Sequence, residues 1–333
     1  MLRFVALGLC LLAITATAAQ SAPQQHSPPQ ISNTIVSLQP TTDTAAGQAS
    51  VQLAQASGFN SVRVIMPWTY PWQHEVINDA LRLCAVAAPA AAAQMTLFLD
   101  VVPTNAKPPV TSTQITWFDK VIGDYLQNLI GPNGCAKGLA EIDVQVANEP
   151  NYSVFWPQAT AAQDYTHLAI RTYKFVQREV IKQNYGTPIR VVVGELNSTN
   201  DPVGFMKRMH DEAQSMNYHG PFFDKFSYHC YGTGGQALTQ PDGIRVAVAA
   251  DFGQDMPLLC TEYAVPNPTT QQYCQMAAMA QDSGLSGIGW FRLLDDPVGS
   301  PTGLYNNDGS AKPSVRNIPV MNAAALGGYL ACG

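Results

Sequence analysis

Two acidic residues stand where apolar runs end. Ala147-Asn148-Glu149-Pro150-Asn151 follows Ile142-Asp143-Val144-Gln145-Val146, and Glu262 follows Pro257-Leu258-Leu259-Cys260-Thr261. Short apolar runs of this kind read as buried strands, here with a carboxyl group at the mouth of each. Two carboxyl groups held close can divide the work of glycoside hydrolysis. One protonates the leaving oxygen, and the other attacks carbon or activates water. Proximity itself sets the roles, because a second like charge is costly and one group keeps its proton while its neighbour ionises. Arg63 and Tyr231 carry the charge and the hydroxyl that could hold Glu262 ionised. Asn148 could bind a sugar hydroxyl, and Trp290 offers a flat indole face to a sugar ring.

Such groups need a scaffold that brings strand ends together. Apolar runs recur at 34–38, 61–66, 96–102, 142–147, 189–194, 223–229, 257–261 and 287–291. Between them lie segments of helical period. In 113–129 the apolar stripe is Ile115, Phe118, Val121, Ile122, Tyr125, Leu126 and Leu129, and 161–182 repeats the pattern through Tyr165, Leu168, Ala169, Thr172, Phe175 and Val176. Alternating strands and helices predict an α/β chain with a parallel sheet, and eight strands favour a closed (β/α)8 TIM barrel in a single domain over 31–333. A dinucleotide fold would want a glycine-rich turn after the first strand, where Ser37-Leu38-Gln39-Pro40 stands instead. The barrel's mouth would then collect Arg63 and Trp68 from the second strand, Asp100 from the third, and Asn148 and Glu149 from the fourth. Glu195 and Asn197 would come from the fifth, His229 and Tyr231 from the sixth, Glu262 from the seventh and Trp290 from the eighth. His229 reads equally well as a core histidine, and core packing competes with sugar binding at Trp290. Trp68, Tyr70, Trp72, Phe155 and Trp156 fall in loops that could line outer sugar sites or simply pack.

Composition narrows the partners. The 333 residues are 46% hydrophobic and 13% charged, with a formal net charge of −6 and no run of Lys or Arg. No electrostatic footprint for nucleic acid or an anionic membrane results, so the expected substrate is neutral or only weakly charged; a carbohydrate partner is expected from the paired acids. Residues 1–22 have the basic start, short apolar run and small-residue end of a secretory signal, and the run is too short for a membrane span. Residues 23–30 read as a flexible leader, and the protein is expected to be secreted. Six of the seven cysteines lie beyond the signal, an even number that suits disulfides in an exported chain; Cys84 with Cys135 is the favoured pair. No Cys-x-x-Cys pair suggests a metal, and neither metal nor cofactor is expected. The sequons at Asn151 and Asn197 read as incidental.

The order of these motifs resembles the retaining β-glycoside hydrolases of clan A, the superfamily that includes cellulase-like family 5 enzymes. The residues that carry the likeness are Asn148-Glu149-Pro150, His229-Cys230-Tyr231, Thr261-Glu262-Tyr263, Trp290, and Gly303-Leu304-Tyr305 followed by Asp308-Gly309-Ser310-Ala311-Lys312-Pro313. The resemblance implies that Glu149 is the general acid/base and Glu262 the nucleophile. It also implies sugar contacts from Arg63, Trp68, Asn148, His229, Tyr231 and Trp290. The stretch 96–104 lacks the histidine that many family 5 members carry near the end of the third strand, which leaves the exact family open. Two alternatives share these residues: a barrel that binds carbohydrate without turnover, and a transglycosylase. Sugar identity, linkage, exo or endo action and oligomeric state are not encoded in these motifs.

Overall fold

The computed structural model describes residues 31–68, 76–103, 107–231, 241–253, 256–296 and 301–327. The expected signal and leader, Tyr70, Trp72 and Cys332 lie outside them. The chain runs β1 (Asn33–Leu38), α1 (Thr44–Ala56), β2 (Ser61–Trp68), α2 (Val76–Ala92), β3 (Thr96–Pro103), α3 (Ser112–Ile130), β4 (Glu141–Val146) and α4 (Ala161–Gln183). It continues β5 (Ile189–Asn197), α5 (Pro202–Ser215), β6 (Lys225–His229), α6 (Pro241–Phe252), β7 (Leu258–Glu262), α7 (Thr270–Asp282), β8 (Gly287–Trp290) and α8 (Ile318–Gly327). All strands pair in parallel, in sequence order, and β8 closes on β1. The molecule is a single-domain (β/α)8 barrel.

Alternation along each strand divides the core in two. Residues of one parity face the helices: Val62, Val64 and Met66 of β2, and Leu97, Leu99 and Val101 of β3, join the large cluster between sheet and helices. Residues of the other parity fill the barrel. Ile35, Phe98, Val192 and Leu259 form a separate apolar layer, one from each odd-numbered strand. The next inward positions on the even strands are Arg63, Gln145, Ser227 and Gly289, and above them the odd strands supply Ser37, Asp100, Glu195 and Thr261. An apolar floor thus carries polar layers that rise to the C-terminal mouth.

Local chemistry fixes the ends of the helices. Thr111 and Thr269 cap α3 and α7 in reciprocal boxes with Gln114 and Gln272. Two disulfides lie among the described residues. Cys84–Cys135 ties α2 to the turn after α3, the pairing favoured from the sequence, and Cys230–Cys260 joins the end of β6 to β7.

Candidate active site

Arg63 is the hub, with no exposed surface. Its Nε–H donates to Gln145 Oε1 (2.7 Å), Nη1 to Glu262 Oε1 (2.5 Å), and Nη2 to Asp100 Oδ2 (2.7 Å) and Glu195 Oε2 (3.1 Å). One guanidinium fork on β2 therefore orders side chains from β3, β4, β5 and β7. Burial opposes its charge, but Glu262, Asp100 and Glu195 together more than offset burial and raise its pKa. A single cation cannot hold every neighbouring carboxylate ionised. Asp100 is pushed well above the usual range, by burial first, and its Oδ1 has no hydrogen-bond partner among the described residues.

Glu195 shows how backbone irregularity builds the site. Strict alternation after Val192 would turn Gly194 inward, but the β5–β6 register shifts between Val193 and Leu196 and Glu195 turns inward instead. Gly194 has φ +105°, and a Cβ there would lie 2.2 Å from the Ser227 carbonyl oxygen, so only glycine fits. Glu195 itself takes φ 46°. Its carboxylate accepts from Gln145, Ser227, Thr261, Arg63 and His229. Burial raises its pKa, yet Arg63 and His229 outweigh burial and hold it below the usual carboxylate value.

The two sequence-singled glutamates meet at one histidine. His229 Nδ1 lies 2.8 Å from Glu149 Oε1 and 3.5 Å from Glu262 Oε2, while Nε2 lies 2.9 Å from Glu195 Oε2. The two glutamate oxygens that face Nδ1 can be no further apart than those two distances combined, about 6.3 Å. A neutral imidazole has one N–H, so carboxylates on both ring nitrogens require either an imidazolium or a protonated carboxyl group. Burial disfavours the imidazolium, but the Glu262 charge and the bonds to Glu149 and Glu195 prevail and push His229 up to about 10. Tyr231 donates its hydroxyl to Glu262 Oε2 (2.8 Å); burial and then the Glu262 charge keep that phenol well above its usual pKa. Asn197 Nδ2–H donates to Glu149 Oε1 (3.0 Å).

Exposure separates two sets of side chains. Arg63, Asp100, Glu195 and His229 are 0% exposed, whereas Asn148, Glu149 and Glu262 reach the surface at 8%, 7% and 6%. Ala147 and Glu149 take φ 62° and 42°, a left-handed kink on either side of Asn148. That kink turns the end of β4 into the mouth, and the buried Asn148 Oδ1 has no hydrogen-bond partner among the described residues.

Two expected sugar contacts are not at the mouth. Trp68 shares the parity of Val64 and Met66, so it faces the helices, fully buried and edge-on to Phe118. Trp290 shares the parity of Ile288; it packs against Tyr263 and Tyr273 with no exposed surface, and its N–H donates to the Thr302 carbonyl (3.0 Å). Both indoles are packing residues in this structure, because strand alternation turns them outward. Trp156 is likewise buried, against Tyr165. The Asn151 side chain bonds the main chain at Asn197 and Asn200, bracing the loops after β4 and β5.

Sequence reasoning left Gln145 out and gave Asp100, Glu195 and Asn197 no part in the catalytic pair. A usable signal was present: Asp100 interrupts an apolar run in β3, and Gln145 continues the polar alternation of Glu141 and Asp143 in β4. Among the described residues no group of three or more His, Cys, Asp or Glu side chains could hold a metal ion, and no helix is long and apolar enough to cross a membrane.

No protein-family model matches the sequence, and no curated protein matches it. Solved structures do match in fold. A monomeric β-xylosidase from Caulobacter crescentus CB15 superposes with a TM-score of 0.63 at 15% identity, over 90% of this chain and 69% of the other. The endo-1,4-β-mannanase of Rhizomucor miehei gives 0.63 at 14% identity, over 91% and 99%. A broad-specificity endoglucanase from Clostridum cellulovorans gives 0.59 at 13%, over 84% and 86%. The closed barrel of this chain is thus a fold that solved glycoside hydrolases carry, in keeping with the clan A resemblance of its motifs.

Proposed function

We propose that this protein is a secreted retaining β-glycoside hydrolase, with Glu149 as general acid/base and Glu262 as nucleophile. The observation that carries the reading is the shared His229 nitrogen. With one oxygen of each glutamate no more than about 6.3 Å from the other, the pair is close enough for retaining chemistry, whose carboxyl groups stand about 5 to 5.5 Å apart. Arg63 and Tyr231 hold Glu262 by charge and by hydrogen bond. In the first step a Glu262 oxygen bonds the anomeric carbon while the bond to the leaving oxygen breaks, and that oxygen takes the Glu149 proton. In the second step Glu149 removes a proton from water, the water oxygen bonds the anomeric carbon, and the bond to Glu262 breaks. His229 stays beside both carboxyl groups throughout, and Asn148 Oδ1 is available to a sugar hydroxyl. No cofactor enters the cycle. A plant or microbial β-glucan, mannan or xylan, or an oligosaccharide from one, is the substrate class that the barrel and its fold relatives support. The signal-like stretch at 1–22 and the two disulfides among the described residues support export.

The test is a reducing-sugar and aryl-glycoside screen, followed by labelling with a 2-fluoro-glycoside of the sugar found. The expected result is one covalent adduct on Glu262 and loss of turnover in Glu262→Gln. An active Glu262→Gln chain, or a label elsewhere, overturns the assignment. Products with and without an acceptor sugar separate hydrolysis from transfer.

A further inference from the structure

The disulfide Cys230–Cys260 brackets the candidate nucleophile. Cys230 lies between His229 and Tyr231, both within reach of Glu262, and Cys260 stands two residues before Glu262. The β6–β7 ladder runs Phe226 to Leu258, Ser227 to Leu259 and Tyr228 to Cys260, then jumps to His229 opposite Glu262. Thr261 is passed over. With Leu259 and Thr261 facing inward, plain alternation would send Glu262 outward among the helices; the irregularity instead brings it to the mouth.

Arg63 and Tyr231 hold the Glu262 side chain; the main chain of Glu262 has fewer supports. On its other side the β7–β8 ladder pairs Leu259 with Gly287 and Cys260 with Ile288, and next bonds at Phe291 N–H to the Tyr263 carbonyl. On the β6 side the Cys230 N–H donates to the Glu262 carbonyl (2.9 Å), and both sulfur atoms lie 3.6 Å from that same oxygen. The two Cα atoms are 5.7 Å apart, and both cysteines are fully buried. The covalent bridge thus sits at the ladder irregularity, against the nucleophile's own peptide group.

We propose that Cys230–Cys260 is a positioning element that keeps Glu262 turned into the mouth and in register with His229 and Tyr231, and that full activity requires it oxidised. This rests on the glycosidase reading above, but one arm of its test does not. Misplacing a reacting group by about 1 Å can cost roughly 100-fold in rate, whereas a bridge that only stabilises leaves kcat unchanged below the unfolding transition. The distant Cys84–Cys135 bridge is the control.

Three chains are compared at 25 °C under oxidising conditions: wild type, C230A/C260A and C84A/C135A. With an aryl β-glycoside cleaved by the wild type, C230A/C260A is expected to lose roughly 100-fold in kcat with KM changed only a few-fold, while C84A/C135A keeps both. The second arm needs no substrate: NMR signals of the His229 ring and the Tyr231 phenol should move in C230A/C260A and stay in C84A/C135A. If C230A/C260A does not fold, C230S/C260S replaces it, read by the same kcat and the same signals. A folded C230A/C260A with wild-type kcat, unmoved His229 and Tyr231 signals, or free thiols at both positions in the wild type, overturns the proposal. If the wild type cleaves no glycoside, the glycosidase reading fails, and the NMR arm alone decides whether the bridge sets the Glu262 geometry.

Discussion

A histidine with a carboxyl group on each ring nitrogen is a charge-storing device, and three glutamate side chains face His229. Its pKa, near 6.5 when unfolded, rises to about 10 in the fold. The stability it contributes is therefore complete below about 6.5 and is lost as pH climbs through about 10. Urea midpoints of wild type and His229→Gln should converge across that window; a constant gap would contradict the assignment. Glu195 supplies part of the upward pull, so in Glu195→Gln the His229 ring should titrate at lower pH than in wild type, read by NMR. Glu149→Gln should lose about 10² to 10⁴ in kcat/KM on glycosides with poor leaving groups, and much less on a dinitrophenyl glycoside that needs no proton. Equal loss on both would remove Glu149 from the acid role.

At the scale of the element, the site depends on places where strands break their own rule. Alternation was legible in the sequence, and it yields the eight strands, the outer core and the inward polar residues. It also gives Trp68 and Trp290 their outward positions, since each lies two residues from an outward-facing neighbour on its own strand. What the sequence did not disclose is the shift at Gly194-Glu195 and the one at Thr261. Both are settled by pairing with the neighbouring strands; Gly194 inside an apolar run is a local mark of the first, and nothing local marks the second. The structure therefore extends β5 to Asn197, past the expected end at 194. Gly194→Ala tests the first irregularity. The left-handed backbone alone should cost about 1–3 kcal/mol, and the 2.2 Å approach to the Ser227 carbonyl adds to it. Urea unfolding measures the cost, and a loss below that range would show that the bulge relaxes. Where the chain folds, its His229 signals should shift, because Glu195 loses its aim.

Over the whole molecule, stability and chemistry occupy opposite ends of the barrel. Cys84–Cys135 spans 51 residues, far from the glutamates, and its removal should cost about 4 kcal/mol by the loop-entropy relation. Thermal denaturation should show a lower Tm with kcat at 25 °C intact. The layer of Ile35, Phe98, Val192 and Leu259 separates the two ends. It makes the polar interior a well with one opening: deuterium can reach the Arg63 and His229 N–H groups only from the mouth. A glycan seated there would act as a stopper. Exchange of those side-chain protons should slow when substrate or inhibitor binds, giving a binding assay for sugars that the protein holds but does not cleave.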